Sequence, residues 1–471
     1  MARTMLEPAR RVPVLGYFDV VVAGGGPAGI GAAVAAARRG VKVLLLEQTA
    51  CLGGMGTAGL VPSLAPYSHF ERPLHTGIAL EMVERLRAAD GVGADKKTFC
   101  WVTIDAEKLK RVYDQMAAEA GVRVLFMTCV AGVVRRGDRI RAVLIENKQG
   151  RQAVEARTFI DATGDADLAA RAGVPFEKGD EHGRMQGVSL EFTVAGVNCR
   201  RYWKFCRERF GGQNAPMRAW VRQYEAKGLL PRLKGAEYGV IAQKQLAPDT
   251  LGYNFGHVFG IDGTDPVQVS YALAKGREIA HNYVAFGRRH IPGMEHAHIV
   301  ATGALLGVRE TRRIAGRCRL VIDDFLHARH FPDEITMSDY PVDVHAPTRS
   351  KLGEKILDKW YNTRLPPGDS FGIPFGCMVP RRIRNLLVPG RAVSADRLMQ
   401  ATIRVMPACL AMGQAAGTAA VLAQRAGQDV CEVEATKLRQ ALRRDGVDLP
   451  DPATFSTSRR VRRKGAADQA D

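Results

Sequence analysis

Cysteine pairs at metal-binding or disulfide-type spacing are missing from this sequence of 471 residues. The chain has nine cysteines, but none of them forms a C-x-x-C pair. This pattern argues against a disulfide scaffold and against a zinc or iron–sulfur ligand set. We therefore predict no metal site and interpret the cysteines as core thiols of a protein in a reducing cytoplasm.

Long apolar runs are also missing. No stretch of about 18 apolar residues is present, so we expect no membrane-spanning segment. The first fifteen residues include Glu7 and Pro8 and lack a long apolar region, which argues against a secretory signal. The hydrophobic content of 46% is ordinary for a globular protein, and the length predicts at least two structural lobes.

Acidic residues are too few to balance the basic ones, and the formal net charge is +18. Such an excess can indicate a nucleic-acid partner. Five positive charges lie in one polar run near the end of the chain, at Arg459, Arg460, Arg462, Arg463 and Lys464. We interpret residues 451–471 as a basic disordered tail and expect no nucleic-acid partner.

The pattern G-x-G-x-x-G occurs twice, at Gly24-Gly26-Gly29 and at Gly54-Gly56-Gly59. The first copy follows a predicted strand (17–22) and opens an Ala-rich predicted helix (27–39). The next predicted strand ends at Glu47, whose carboxylate would accept hydrogen bonds from the two ribose hydroxyls. The glycines of the first copy permit a tight turn, the approach of a pyrophosphate to the helix N-terminus, and close packing of the helix on the strand. This combination predicts a dinucleotide-binding βαβ unit.

The second copy has different surroundings. No strand precedes it, and no acidic residue ends a strand at the distance that a ribose contact requires. We interpret residues 53–59 as a loop kept free of side chains, against which a flat ring system and its polyol chain can lie. No other βαβ unit carries glycines in register, so a nicotinamide nucleotide site is disfavoured.

The rest of the chain divides into segments that differ in composition and in predicted secondary structure. A helix is predicted at 105–119 and three strands at 123–126, 139–146 and 157–161. Aromatic-rich helical stretches follow at 202–210, 220–227 and 267–288, and then a strand at 386–388 and a helix at 407–426. The predicted domains are FAD-binding (15–180 and 375–428), substrate or cap (181–374), a C-terminal helix (429–450) and the tail (451–471).

Several segments together resemble the FAD-dependent oxidoreductase family within the glutathione-reductase-like flavoprotein superfamily. They are GGGPAGIGAA with Glu47, LGGMGTAGL, DATGDADLAARAG (161–173) and the run from NLLVPGRAV to GQAAGTAA (385–420). In the middle, GIDGTDPVQVSYALAKGR, GVRETRRIAG and YPVDVH add to a likeness covering residues 7–445. The resemblance implies an α/β fold with a discontinuous Rossmann-like FAD-binding domain and an inserted α+β substrate or cap domain.

The resemblance also implies which residues bind FAD. Val130 would lie near the adenine, and the helix that begins around Pro407 would point its N-terminus at the pyrimidine edge of the flavin. The implied contacts are Gly24, Gly26, Pro27, Ala28, Gly29, Glu47, Gln48, Gly53, Gly54, Met55, Thr57, Val130, Thr163, Gly164, Asp165, Gly390, Arg391, Arg404, Met406 and Pro407.

Candidate substrate-binding residues lie in the inserted region. In GVRETRR, Arg309, Thr311 and Arg313 alternate in a predicted strand and so share one face, while Glu310 and Arg312 share the other. Two guanidinium groups on one face would fix a carboxylate or another anion. The alternative is a set of structural or solvated Arg/Glu pairs.

Candidate proton-transfer residues lie in YPVDVH. Asp343 is two residues from His345, a spacing that lets a carboxylate orient an imidazole for proton exchange. The alternative is a structural histidine, and His257 in NFGHV is a weaker candidate. Cys377 and Cys409 flank the cofactor motifs in sequence; we favour packing roles over flavin attachment or thiol catalysis.

No redox C-x-x-C or C-x-x-x-x-C lies near the first helix, so the flavin would exchange electrons directly with a substrate and with an unidentified acceptor. We predict hydride transfer between flavin N5 and a small organic substrate, anionic or polyhydroxylated, in a chain that can form a homo-oligomer. The alternatives are a tRNA-modifying flavoprotein and a non-catalytic FAD-binding or electron-transfer subunit.

Overall fold

The computed structural model describes residues 5–68, 72–93, 99–239 and 241–454. Most of the predicted basic tail, residues 455–471, lies outside this part of the chain. The α-helices in the described part are α1 (Pro27–Ala37), α2 (Ile78–Ala88), α3 (Ala106–Ala120), α4 (Asp167–Arg171), α5 (Cys199–Phe210), α6 (Asn214–Ala226), α7 (Pro266–His290), α8 (Ile322–Leu326), α9 (Lys351–Trp360), α10 (Arg397–Ile403), α11 (Met406–Arg425) and α12 (Ala435–Arg444).

The strands are numbered in the same way. They are β1 (Val14–Ala23), β2 (Val43–Leu46), β3 (Ser63–Leu64), β4 (Val102–Thr103), β5 (Arg123–Leu125), β6 (Cys129–Arg136), β7 (Arg139–Asn147), β8 (Gly150–Asp161), β9 (Phe176–Lys178), β10 (Phe192–Ala195), β11 (Ala236–Glu237), β12 (Ala242–Lys244), β13 (Leu251–Tyr253), β14 (His257–Val258), β15 (His298–Thr302), β16 (Arg312–Ile314), β17 (Glu334–Ser338), β18 (Phe371–Pro374) and β19 (Leu386–Leu387).

A seven-stranded sheet forms the nucleotide-binding half in the order β5-β2-β1-β8-β7-β6, with β19 paired to the end of β8. The strands β5, β2, β1, β8 and β19 run parallel, while β7 and β6 form an antiparallel meander. Strand β2 is buried along its whole length, as expected for a parallel sheet covered on both faces. The predicted α/β fold class is confirmed.

Helices α1 and α11 pack against each other through small residues. A Cβ on Gly413 would lie 2.1 Å from the carbonyl oxygen of Ala28, and one on Gly417 would lie 2.1 Å from that of Ala32. The two backbones therefore approach more closely than any larger side chain permits. By length and composition α11 could cross a membrane, but 89% of its most apolar window is buried inside the protein, so it packs as a core helix.

The inserted region has its own sheet and core. The antiparallel sheet has the order β12-β13-β10-β15. Its buried side chains cluster between Val188 and Leu306 and include stacked Phe192 and Tyr253 rings. Buried residues from Leu320 to Phe375 belong instead to the large core around α1 and α11. The packing therefore favours an inserted unit that ends well before residue 374, and the domain limits stay a proposal.

One predicted strand is wrong. Within GVRETRR only Arg312 and Arg313 belong to a strand, β16, which pairs with β9. Residues 308–311 have no strand conformation, because the backbone at Gly307 pairs with Ser189 and the chain then turns. The expected alternation of side chains from Arg309 to Arg313 is therefore absent. The predicted C-terminal helix (429–450) is present as the shorter α12.

Candidate active site

A cavity of about 1680 Å³ lies where the parallel strands end. The turn after β1, the residues after β2 and β8, and the turn after β19 form one part of its wall. Residues of the inserted region, among them Ser189, His257 and Arg309, form another part. Ligands of open parallel sheets bind at this edge, so the topology itself places a binding site here.

The first glycine turn borders the cavity. A Cβ built on Gly26 meets no atom within 4 Å, although Gly26 directly precedes α1. No side chain caps this helix N-terminus, so its backbone N–H groups are available to an anion. Gly24 has a φ of +96°, and a Cβ there would lie 2.4 Å from the carbonyl oxygen of Ala162. The turn is therefore held against the sheet while its open side faces the cavity.

Glu47 fixes the same turn from the end of β2. Its carboxylate accepts hydrogen bonds from the backbone N–H groups of Gly25 and Thr49, both at 2.6 Å. Each carboxylate oxygen has a second lone-pair site, so both retain the capacity to accept a ribose hydroxyl. Glu47 lines the cavity, and its contact with a ribose stays a prediction.

The second glycine loop packs on the first. The N–H of Gly53 donates to the carbonyl oxygen of Gly25 at 2.8 Å. A Cβ on Gly54 would lie 3.2 Å from the Cα of Gly26. Residues Gly54–Gly56 form a short 3-10 turn, from which Met55 reaches the cavity wall. The two loops therefore contribute to one site rather than to two.

Most of the predicted FAD contacts line this cavity. Those on its wall are Gly24, Gly26, Pro27, Ala28, Glu47, Gln48, Met55, Val130, Thr163, Gly164, Gly390, Arg391, Arg404 and Met406. Those that are not on its wall are Gly29, Gly53, Gly54, Thr57, Asp165 and Pro407. Several of the second group have packing roles: a Cβ on Gly29 would lie 1.7 Å from the carbonyl oxygen of Gly24, and the buried Thr57 hydroxyl donates to the carbonyl oxygen of Leu52.

An unpartnered guanidinium nitrogen supports the fit of a pyrophosphate-containing group. Arg391 donates through Nη2 to Asp165 at 2.8 Å, and Asp165 also accepts from the Thr311 hydroxyl. The Nε of Arg391 is buried and has no partner among the described residues. Asp165 thus holds a cavity-lining cation in place without contacting the cavity, and the donors present match an anionic, ribose-bearing cofactor such as FAD.

Arg309 and Arg313 do not lie together. Arg309 lines the cavity and donates through Nη1 to the carbonyl oxygen of Gly187 and to the Ser189 hydroxyl. Arg313 lies off the cavity wall, where its Nη1 is 3.0 Å from the buried carboxylate of Glu310. The expectation that the two guanidinium groups share one face is wrong, because Arg313 and Glu310 form a structural ion pair.

Four ionisable side chains form a hydrogen-bonded row in the cavity wall. The Nδ1 of His257 lies 3.0 Å from Glu237, and its Nε2 lies 2.8 Å from Nδ1 of His345. The Nε2 of His345 lies 3.2 Å from Oδ1 of Asp343. Arg404 closes the row by donating to Oδ2 of Asp343 at 2.9 Å. We call Glu237, His257, His345 and Asp343 the relay.

The protons of the relay can be counted. Its two ends are carboxylates, which only accept, and two neutral imidazoles bring two N–H donors to three contacts. Burial beside Arg309 lowers the pKa of His345 to about 3, so this ring is neutral near pH 7. The contact with His345 and the positive charge of Arg404 hold the pKa of Asp343 well below its usual range despite burial. One further proton is therefore needed before all three contacts become hydrogen bonds.

Sequence reasoning paired Asp343 with His345 and named His257 separately, but it missed Glu237 and Glu191. Glu191 lines the cavity, is 2% exposed, and its Oε2 has no hydrogen-bond partner in the described part of the chain. The available sequence signal for Glu191 was a single acidic residue within the mostly apolar run VSLEFTV. Glu237 has no comparable signal, because its contact with His257 joins two short strands, β11 and β14.

The two cysteines near the cofactor motifs have packing contacts. Cys377 is buried, and its thiol donates to the carbonyl oxygen of Pro374. Cys409 lies on the cavity wall, and its thiol donates to the carbonyl oxygen of Arg404 at 3.3 Å. Burial raises the pKa of the Cys409 thiol to about 12. A thiol that stays protonated is a poor nucleophile, which favours the packing interpretation.

Comparison with known proteins agrees with this site. A family model described as FAD dependent oxidoreductase matches residues 19–442. Thiamine thiazole synthase of Desulfosudis oleivorans is 33% identical over 158 residues, which cover 31% of this chain and 56% of that protein. Digeranylgeranylglycerophospholipid reductase 2 of Methanothermobacter thermautotrophicus is 30% identical over 197 residues, which cover 38% and 48% of the two chains.

The chain therefore spans about half the length of these curated relatives. Among solved structures, a geranylgeranyl bacteriochlorophyll reductase-like protein of Thermoplasma acidophilum is similar at 13% identity and a TM-score of 0.43. That match covers 91% of this chain and 83% of the other.

Proposed function

Because this chain belongs to the FAD-dependent oxidoreductase family, we propose that it transfers a hydride between FAD and a small organic substrate that is anionic or strongly polar. The observation that carries this proposal is the single cavity that joins the first glycine turn to Arg309 and the relay. Its volume of about 1680 Å³ exceeds the roughly 300–1,000 Å³ of a typical small-molecule site, which supports room for both a cofactor and a substrate.

The residues of this chain have distinct proposed roles toward the cofactor. Gly26 and the N-terminus of α1 hold the pyrophosphate, Glu47 holds the ribose, and Arg391 supplies a cation at the wall. The loop at Met55 would border the ribityl and ring portions of the same FAD. When bound, FAD supplies the two-electron carrier that exchanges a hydride with the substrate carbon.

Arg309 is the proposed anchor for the anionic or polar group of the substrate. Its Nη1 is fixed by Gly187 and Ser189, so the guanidinium is held in one orientation at the cavity wall. We do not include Arg313 in the proposed substrate site, because the buried carboxylate of Glu310 pairs with its charge.

The relay is the proposed acceptor and donor of the proton that accompanies hydride transfer. Uptake of one proton completes its third hydrogen bond, and because the pKa of His345 is about 3, the relay holds that proton only transiently before passing it on. Both ring nitrogens of His345 are engaged. Exchange with a substrate therefore passes through Asp343 or opens one of the His345 contacts. Asp343 is held by Arg404, and the backbone N–H of His345 donates to Gln186.

The names of the relatives do not select a substrate. One is a thiazole synthase and another is a phospholipid reductase. Since the matches cover about half of each of those proteins, we propose for this chain only the shared flavin chemistry and a substrate that fits Arg309 and the relay.

Anaerobic flavin bleaching tests the proposal. FAD-loaded protein is mixed with a panel of small carboxylates, alcohols and amines, and loss of visible flavin absorbance identifies a substrate. Arg309→Met should weaken the response, whereas Arg207→Met, on an exposed turn of α5, should leave it unchanged.

Two outcomes would favour the rival functions. Co-purified RNA that alters the flavin spectrum would support a tRNA-modifying enzyme. Flavin that no compound in the panel bleaches, but that exchanges electrons with a protein partner, would support an electron-transfer subunit.

A further inference from the structure

Glu191 occupies a defined place in the inserted region. Just before β10, the backbone of residues 189–191 pairs with that of residues 303–307. Gly307 donates to Ser189 at 2.7 Å, and Gly303 donates to the carbonyl oxygen of Glu191 at 2.8 Å. These bonds fix the position from which the Glu191 side chain borders the cavity.

The fold leaves room for this carboxyl group without giving it a full set of partners. A Cβ on Gly307 would lie 2.9 Å from Oε1 and 3.0 Å from Oε2 of Glu191. The absence of a side chain at Gly307 therefore makes the space that the carboxyl occupies. Within that space Oε2 is buried and makes no hydrogen bond to any described residue.

The other carboxyl groups near the substrate end of the cavity are engaged. Glu237 contacts His257, and Asp343 contacts His345 and Arg404. Burial raises the pKa of Glu191 to about 7, although the positive charge of Arg309 opposes this rise. A buried polar atom without a partner destabilises the folded state, and such local conflicts are expected where a site serves a ligand.

We propose that Glu191 contacts the substrate and hydrogen-bonds its O–H or N–H group while Arg309 faces its anionic group. The preferred substrates are therefore small hydroxy- or amino-carboxylates. This inference rests on the proposed function for the role of Arg309. It adds a substrate class and a specificity-determining residue.

Binding of simple probe anions tests the contact without requiring turnover. Acetate, glycolate and glycine are titrated into FAD-loaded protein, and the change in the visible flavin spectrum gives each dissociation constant. In the wild type, glycolate or glycine should bind about tenfold more tightly than acetate, the effect of one hydrogen bond. In Glu191→Met this ratio should fall to about one, and acetate binding should change little.

Thermal stability provides a second measurement that needs no ligand. Glu191→Met should raise the Tm of the FAD-free protein, because it removes a buried carboxyl that lacks a full set of partners. The gain should grow as the pH rises from 4.5 to about 7, the interval between the unfolded and folded pKa values of this carboxyl, and level off above it. Glu225→Met is the matched control: Glu225 is buried but paired with Arg349, so its loss should lower the Tm.

The proposal is overturned if Glu191→Met or Glu191→Gln unfolds or lowers the Tm, because Glu191 would then be structural. It is also overturned if the wild type shows no preference over acetate, or if Glu191→Met retains that preference. Flavin bleaching by a compound without a hydroxyl or amino group would leave the proposed function intact and reject only this inference.

Discussion

At the scale of single residues, substitution of Gly26 should affect cofactor binding, whereas substitution of Gly29 should affect folding. Gly26 has open space where a Cβ would lie, whereas a Cβ on Gly29 would lie 1.7 Å from a backbone oxygen. Gly26→Val should therefore fold with an unchanged Tm in the FAD-free state but lose most of its flavin absorbance. Gly29→Val should not fold. Full flavin content in the Gly26→Val protein would reject the assigned pyrophosphate site.

The His345 side chain offers a kinetic prediction. Removing a group that takes part in proton exchange typically slows the chemical step by about 100-fold to 10,000-fold. Stopped-flow reduction of His345→Ala by an identified substrate should show a loss in this range with unchanged FAD content. His327→Ala, at an exposed histidine, is the control and should react at the wild-type rate. Equal rates in both variants would remove His345 from the mechanism.

His75, a buried histidine that is not on the cavity wall, should make the stability of the protein depend on pH. Burial lowers the pKa of this histidine from 6.5 to about 4, and its Nδ1 contacts the Thr336 hydroxyl. The unfolded chain binds this proton more readily between pH 6.5 and 4, so stability falls as the pH falls through that window. The full effect is up to about 3 kcal/mol. Urea unfolding of His75→Gln should show a shallower loss than the wild type.

At the scale of elements, the contact between α1 and α11 couples two parts of the cavity wall. Gly413→Ala would place a methyl group 2.1 Å from the Ala28 carbonyl oxygen, and such overpacking costs about 3 kcal/mol or more against a rigid backbone. We expect a lower Tm and a lower FAD affinity, since both helix N-termini would shift. Gly26→Ala, the same substitution in open space, should keep the wild-type Tm. Similar Tm values for the two variants would contradict this packing.

The elements that sequence reasoning predicted well are those set by local patterns. The first βαβ unit was predictable because Gly24, the Ala-rich α1 and Glu47 report on the same local geometry. The strand expected across GVRETRR was wrong because alternation alone cannot show that Gly307 pairs with Ser189 and that Glu310 meets Arg313. The relay joins His257 to His345 across 88 positions, and no sequence spacing encodes that contact.

At the scale of the whole molecule, the cavity lies between a nucleotide-binding sheet and an inserted core. The buried cluster of the inserted region ends near Leu306, and the chain then returns to the large core. The sequence pattern predicted the end of the inserted domain at residue 374, because aromatic-rich and irregular segments continue up to that point. Packing partners, rather than composition, decide which core a segment joins.

The charge of the whole molecule gives a final prediction. Residues 455–471 carry five basic and two acidic side chains, so they supply only three of the eighteen net positive charges. Most of the positive excess therefore lies outside the tail, and the rest of the chain is itself strongly basic. We expect weak RNA binding that falls steeply with salt, since phosphate contacts release counterions.

A chain ending at residue 454 should retain most of this affinity and its full flavin content. Filter binding from low to high salt, beside flavin bleaching with and without RNA, checks this expectation. RNA that accelerates bleaching, or tight binding that persists at high salt, would instead indicate a nucleic-acid substrate.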